Sequence, residues 1–268
     1  MKVKILSKND REISFQVEGT NYAFANELRR IMIGEIPVMA IEWVDFRAND
    51  TPMPDEVMAN RVGQIPLTFD DKAYELPENC KCEGKGCSRC QTELVLKKKG
   101  PGMVYSGDLK SKDKSVKPVF DKIPIVELFE GQEIEFETVA QLGLGNRNAK
   151  WQAAVVGYKN VPNITINSKE CTGEGCKRCV EKCVKKNENV LTMERGKVVL
   201  ANPAMCNICL QCVDACPKGA INVEMMEDNF IFNVESASGL SPEEVVVRAA
   251  ERLEEKSGQL EKGLGKLK

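Results

Sequence analysis

A chain of 268 residues, 42% hydrophobic and 29% charged, has room for two or three domains and a real buried core. Its formal net charge of -2 gives no basic excess to argue for direct nucleic-acid binding, and the lack of any histidine excludes a Ser-His-Asp or Cys-His nucleophile and every mixed Cys/His zinc site. The N-terminal stretch has no long apolar run, so neither an export signal nor a membrane span is read there; twelve cysteines are then expected to act as metal or cluster thiolates in a reducing cytoplasm.

In chain order, residues 2–6 and 12–18 read as short strands joined by a turn. A helix is expected over 21–33, capped by Thr20 or Asn21 and closed by Gly34, with Phe24, Leu28 and Ile31 on one face and Met32 beside them. Arg29 and Arg30 stand about 100° apart around its axis. They flank a core helix as a solvated pair, or one of them meets a partner. Residues 39–49 alternate as a half-buried strand, 55–63 read as a short helix, and 63–69 as an edge strand interrupted by Pro66.

Cys80, Cys82, Cys87 and Cys90 follow, spaced C-x-C-x4-C-x2-C with Gly84 and Gly86 for the tight turn. Four thiolates so close in sequence can close a tetrahedral site, and zinc is expected there. The segment 82–90, CEGKGCSRC, resembles CTGEGCKRC at 171–179, a repeated turn that by itself leaves iron open. Lysines 97–99 before GPG read as a solvated hairpin tip. Strand-like runs follow within 116–142, then a loop at Gly143, Gly145 and Asn146, then a strand over 149–158.

The strongest signal is CNICLQCVDACP at 206–217, the C-x2-C-x2-C-x3-C-P run that ligates 4Fe-4S clusters, whose fourth cysteine usually serves a second cluster. A second set, Cys171, Cys176, Cys179 and Cys183, precedes it. The crossing expected is Cys206, Cys209, Cys212 and Cys183 on one cluster, and Cys171, Cys176, Cys179 and Cys216 on the other. A hairpin turning at Arg195–Gly196 lies between the sets, and 218–224 continue as a strand. The module, 162–226, is thus ferredoxin-like. After a strand at 230–235, Ser241, Pro242 and Glu244 open a C-terminal helix with a capping box. Val246, Ala249, Leu253, Leu260 and Leu264 form its seam, which packs on its own sheet or on a partner helix.

Four blocks then carry a resemblance: NYAFANELRRIMIGEIPVMAIEWVDF at 21–46, DEVMANRVGQIPL at 55–67, AKWQAAVVGY at 149–158 and SPEEVVVRAAERL at 241–253. In this order they resemble the alpha-type assembly subunits of DNA-directed RNA polymerases, in particular their archaeal, D-type branch. Relatives of that branch are the third subunit of eukaryotic polymerase II and the bacterial alpha N-terminal domain. The resemblance implies an α+β fold with a discontinuous dimerisation domain (1–48 and 227–268), a mainly β insert (49–161) bearing the four-cysteine loop, and the ferredoxin-like insert. It implies a non-catalytic subunit that pairs with subunit L and docks the large subunits and small subunits N and P. It also implies a partner contact for Arg29 or Arg30 and a dimerisation role for the C-terminal helix. An electron carrier or oxidoreductase subunit would share the cysteine runs, but it needs none of these flanking blocks, and the chain has no flavin or nicotinamide motif.

Overall fold

The computed structural model describes residues 1–265; the last three residues of the expected C-terminal helix, 266–268, lie outside them. The elements in order are β1 (Lys2–Lys8), β2 (Glu12–Glu18), α1 (Tyr22–Gly34), β3 (Val38–Asn49), α2 (Asp55–Gly63), β4 (Gln91–Lys99), β5 (Gly102–Tyr105), β6 (Lys110–Ser111), β7 (Pro124–Leu128), β8 (Glu133–Gly143), β9 (Ala154–Ile166), α3 (Arg178–Lys182), β10 (Leu191–Glu194), β11 (Lys197–Leu200), α4 (Gln211–Asp214), β12 (Ile221–Ser236) and α5 (Pro242–Gly265). The fold is α+β. Two compact units form: Met1–Lys8, Ile13–Asn26 and Gly157–Asn233 make one, and Asn9–Glu12, Glu27–Val156 and Val234–Lys268 the other. The expected divisions at 48/49, 161/162 and 226/227 fall inside the continuous strands β3, β9 and β12.

The first unit holds a four-stranded sheet in the order β1-β2-β12-β9. Period-2 patterning in β2 buries Ile13, Phe15 and Val17 on one face. Aromatic rings knit the strands on that side: Phe15 stacks on Phe232 at 5.2 Å, and Tyr158 lies 5.5 Å from Phe232 and 5.6 Å from Phe230. Two strands expected at 218–224 and 230–235 are one strand, β12, because no residue between them breaks the extended backbone. The hairpin β10–β11 turns at Arg195 (φ 48°) and Gly196 (φ 76°), the left-handed pair that suits a two-residue hairpin.

The second unit holds a sheet ordered β3-β8-β4-β6 and a ribbon of β5 and β7. Its core gathers Met39 and Ile41 from β3, Met58 and Val62 from α2, Leu94 and Leu96 from β4, and Ile134 and Phe136 from β8. Three sequence expectations are corrected here. Lysines 97–99 do not form a hairpin tip: they oppose Glu135, Ile134 and Glu133 across β4–β8, and Lys97 pairs with Glu135, Lys99 with Glu133 at 3.0 Å and Lys98 with Asp108 at 2.7 Å. Residues 63–69 make no strand; Pro66 has no donor to give a ladder, and only an isolated bridge joins Leu67 to Pro118. The strand expected from 149 begins at Ala154, because Ala149–Trp151 is a 3-10 turn that seats the Trp151 ring over Gly143. A Cβ on Gly143 would lie 2.2 Å from that ring, so glycine is required at this close approach.

Helix α1 begins where Asn21 Oδ1 accepts the Phe24 N–H at 2.9 Å, and it buries Leu28, Ile31 and Met32 together with Ala25. Helix α5 opens on the expected capping box: the Ser241 N–H donates to Glu244 Oε2 at 2.7 Å and the Glu244 N–H to Ser241 Oγ at 3.3 Å. Lys256 on α5 ties to Glu27 on α1 and to Glu35 just past its end, at 2.5 and 2.9 Å.

Candidate metal centres

The four-cysteine loop is built by left-handed residues. Glu83 (φ 53°), Gly84 (φ 77°) and Gly86 (φ 89°) fold it back, and the Cys80 and Cys82 carbonyls accept the N–H groups of Glu83 and Lys85 at 2.9 and 3.0 Å. The four sulfurs lie within 4.8 Å of one another. Cys80 and Cys87 sulfurs are 3.5 Å apart, Cys82 and Cys90 3.5 Å, and Cys87 and Cys90 3.8 Å. A tetrahedron with zinc–sulfur bonds of about 2.3 Å has edges of about 3.8 Å. The donor set therefore fits one ion such as zinc.

The thiols differ in acidity. Burial raises Cys82, but hydrogen bonds from the Cys90 and Cys80 sulfurs and the Gly86 backbone outweigh it and bring it to about 6. Burial, aided by its sulfur contacts, pushes Cys90 up to about 12 against the Cys87 N–H, which donates to its sulfur at 3.3 Å. One sulfur is thus held as a thiolate by the protons of the others, and an ion would displace those protons. The loop is anchored from both sides: the Glu75 N–H donates to the Arg89 carbonyl at 2.8 Å, and Arg147 grips Glu78 at 3.0 and 2.7 Å.

The remaining eight cysteines line two cavities in the first unit. Cys171, Cys176, Cys179 and Cys216 line one, with Val198 and Pro217; Cys183, Cys206, Cys209 and Cys212 line another, with Ile164, Val190, Leu191 and Val223. Each takes three cysteines from one run and one from the other. Among the described residues, only the 80–90 loop brings its sulfurs within 4.8 Å of one another. These two sets form no such tight group, so they are not preset for a single ion.

The loops around these cavities are strained. Lys177 (φ 52°), Ile208 (φ 58°) and Leu210 (φ 61°) all take the left-handed conformation without being glycine, and Ile208 is β-branched. Such positions persist where something else over-determines them. Gly173 (φ 54°) packs its α-carbon on the hairpin tip, where a Cβ would meet the Gly196 carbonyl at 2.1 Å. The sulfurs receive backbone donors: the Ala220 N–H reaches Cys216 Sγ at 3.2 Å and the Ile208 N–H reaches Cys206 Sγ at 3.3 Å. Burial raises Cys216, yet N–H groups from Ala220, Lys218, Ile221 and Gly219 leave it lowered overall. Burial and then the charges of Cys206, Cys183 and Cys209 push Cys212 up to about 11. Thiolates, N–H···S donors and an apolar lining are the surroundings iron–sulfur clusters take. If bound, such a group would supply one-electron chemistry or simply cross-link the two runs.

The expected partner residues are spread over both helices. Arg30 is exposed and Arg29 half-buried. On α5, Ala249 is fully covered within its own chain, Val246 and Leu253 are half-buried, and Leu260 is 66% exposed. Val245, not Val246, is the other buried seam residue. Lys159, whose Nζ reaches the Cys206 carbonyl at 2.9 Å, was invisible in the sequence, because nothing local marks a contact that spans 47 positions.

The chain matches the model of the RNA polymerase Rpb3/Rpb11 dimerisation domain over residues 14–257. It is 41% identical over 268 residues to DNA-directed RNA polymerase subunit Rpo3 of Methanosphaera stadtmanae, covering 97% of each chain. It is 42% identical over 264 residues to the Rpo3 of Methanothermobacter thermautotrophicus, again covering 97% of each. Against the Rpo3 of Pyrococcus horikoshii identity is 35% over 249 residues, 92% of this chain and 91% of that one.

Proposed function

The chain belongs to the RNA polymerase Rpb3/Rpb11 dimerisation family, and from that premise we propose that it is the non-catalytic assembly-platform subunit, of the D type, in an archaeal-type DNA-directed RNA polymerase. The observation that carries this reading is likeness to Rpo3 chains over nearly the whole length, loops and modules included. In this role α1 and α5, within the segments 1–48 and 227–268, pair with the small subunit L. Arg29 and Arg30 then face the large subunits, and subunits N and P join the platform. The protein works in the cytoplasm. An electron carrier is the weaker reading, since family likeness over 14–257 reaches far beyond the cysteine runs. Among the described residues no helix is long and apolar enough to cross a membrane.

The insert 49–161 carries one zinc on Cys80, Cys82, Cys87 and Cys90. The insert 162–226 carries two 4Fe-4S clusters, one on Cys183, Cys206, Cys209 and Cys212 and the other on Cys171, Cys176, Cys179 and Cys216. Their role is structural or regulatory: they staple two cysteine runs whose shared apolar core is small. Co-expression with an L-type subunit tests the platform reading. A stable one-to-one heterodimer that recruits the large subunits is expected, and a chain that purifies alone and ignores both would overturn it. Anaerobic analysis of the same heterodimer should return about eight iron and eight sulfide per chain. Saturation at half that value would remove one cluster.

A further inference from the structure

We infer that Lys159 is a positioning residue for the metal group of Cys183, Cys206, Cys209 and Cys212, its ammonium serving as the fixed counter-charge of that site. The inference rests on the iron–sulfur reading above. Lys159 stands half-buried on β9 and donates from Nζ to the Cys206 carbonyl at 2.9 Å. Burying an ammonium is costly unless an opposite charge compensates it. The charged side chains that act on it are Lys185 and Glu188. Lys185 lines the same cavity and holds Glu188 Oε1 at 2.7 Å, while Glu188 Oε2 is buried with no partner. Two cations against one carboxylate leave a positive charge in excess beside four cysteines.

A four-thiolate cubane is anionic, and here most of what it would sit against is apolar, Ile164, Val190, Leu191, Leu210 and Val223, with Asn207 and Lys185 the polar side chains of the lining. A cation fixed on the Cys206 carbonyl offsets that cost, and it favours the reduced form, which is one charge more negative. The second cavity is arranged differently. Its lysines, Lys177 and Lys218, are exposed and so screened, and Cys216 collects N–H groups from Ala220, Lys218, Ile221 and Gly219 where Cys206 takes one from Ile208. The two sites are thus compensated by different means. A lysine that merely anchored the 206–210 loop would act through its hydrogen bond and not through its charge.

Two substitutions separate these roles in the full chain, purified anaerobically and titrated with dithionite through mediators under electron paramagnetic resonance. Lys159→Gln keeps a donor for the Cys206 carbonyl and removes the charge; Lys159→Arg keeps both. In Lys159→Gln the one-electron reduction equilibrium of one cluster should shift at least threefold toward the oxidised form, and that cluster should be the one altered by Cys209→Ser. Lys159→Arg should stay close to the parent. Loss of that site's iron in Lys159→Gln with retention in Lys159→Arg supports the inference equally. Equal behaviour of the two variants, equal shifts of both clusters, or movement of the cluster altered by Cys216→Ser overturns it. A parent chain without iron and sulfide overturns the cluster reading and this inference together, whereas a fully loaded chain whose equilibrium does not move overturns this inference alone.

Discussion

Cys82 and Lys177 are single residues whose local physics makes separate predictions. The Cys82 thiol sits at about 6, so it is the sulfur already ionised near neutral pH and ready for an ion. Cys82→Ser removes it without changing the loop's turn residues. The expected outcome is loss of one zinc per chain with iron content intact, read by metal analysis; loss of iron in its place would assign the loop to the wrong metal. Lys177 is exposed and left-handed, so its side chain contributes strain and little packing. Replacing it with glycine should relieve roughly 1 kcal/mol. The denaturant concentration at which the visible cluster absorbance is lost should rise in Lys177→Gly and fall in Lys177→Val.

Helices α1 and α5 are joined by charge. Its hydrogen bond from Lys256 holds the Glu27 carboxyl below the usual range, and the hydrogen bonds to Glu27 and then Glu35 raise Lys256. A lowered carboxylate contributes stability above its unfolded value of about 4.3, and loses it as pH falls through its folded value. A raised lysine contributes below its unfolded value of about 10.4, and loses it as pH rises through its folded value. Both side chains are about one-third exposed, so the tie is discounted to about 0.5 kcal/mol per contact. Lys256→Ala should therefore lower stability between these limits, with parent and variant curves converging in acid below Glu27's folded value. A constant offset at every pH would show that packing, and not charge, was lost. At this scale the sequence was a good guide wherever the signal was local. The capping box at Ser241, the helix at 55–63 and the hairpin at Arg195–Gly196 all stand where their residues put them. What could not be read was long-range: the β8 glutamates and Asp108 that pair with the three lysines of β4, and the Trp151 ring that delays β9. The cysteine spacing pointed to metal ligands, but the lysine that lies against Cys206 follows only from the pairing of distant segments.

For the molecule as a whole, the question is whether the cysteine-rich module and helices α1 and α5 stand or fall together. The module's own core is small: seven buried residues, one of them Cys212, with five more cysteines among the partly buried side chains around them. Such a core gives little stability without a staple. Strands β9 and β12 run out of the module into the four-stranded sheet of the same unit, so disorder that starts at the cysteines has a path into that sheet. The α1–α5 tie lies elsewhere. Glu27, Glu35 and Lys256 all belong to the other unit, as do Val245 and Ala249. Cys183→Ser and Cys209→Ser variants are therefore expected to bind the small partner subunit as the parent does, and to fail at the later step of joining the large subunits. Pull-down with the partner alone, and then with the complete set of subunits, reads both steps. A variant shown to lack both clusters that still enters active polymerase would refute the coupling. Failure to bind even the small partner would mean that disorder passes along β9 and β12 as far as the helices, and that the two units share one folding transition.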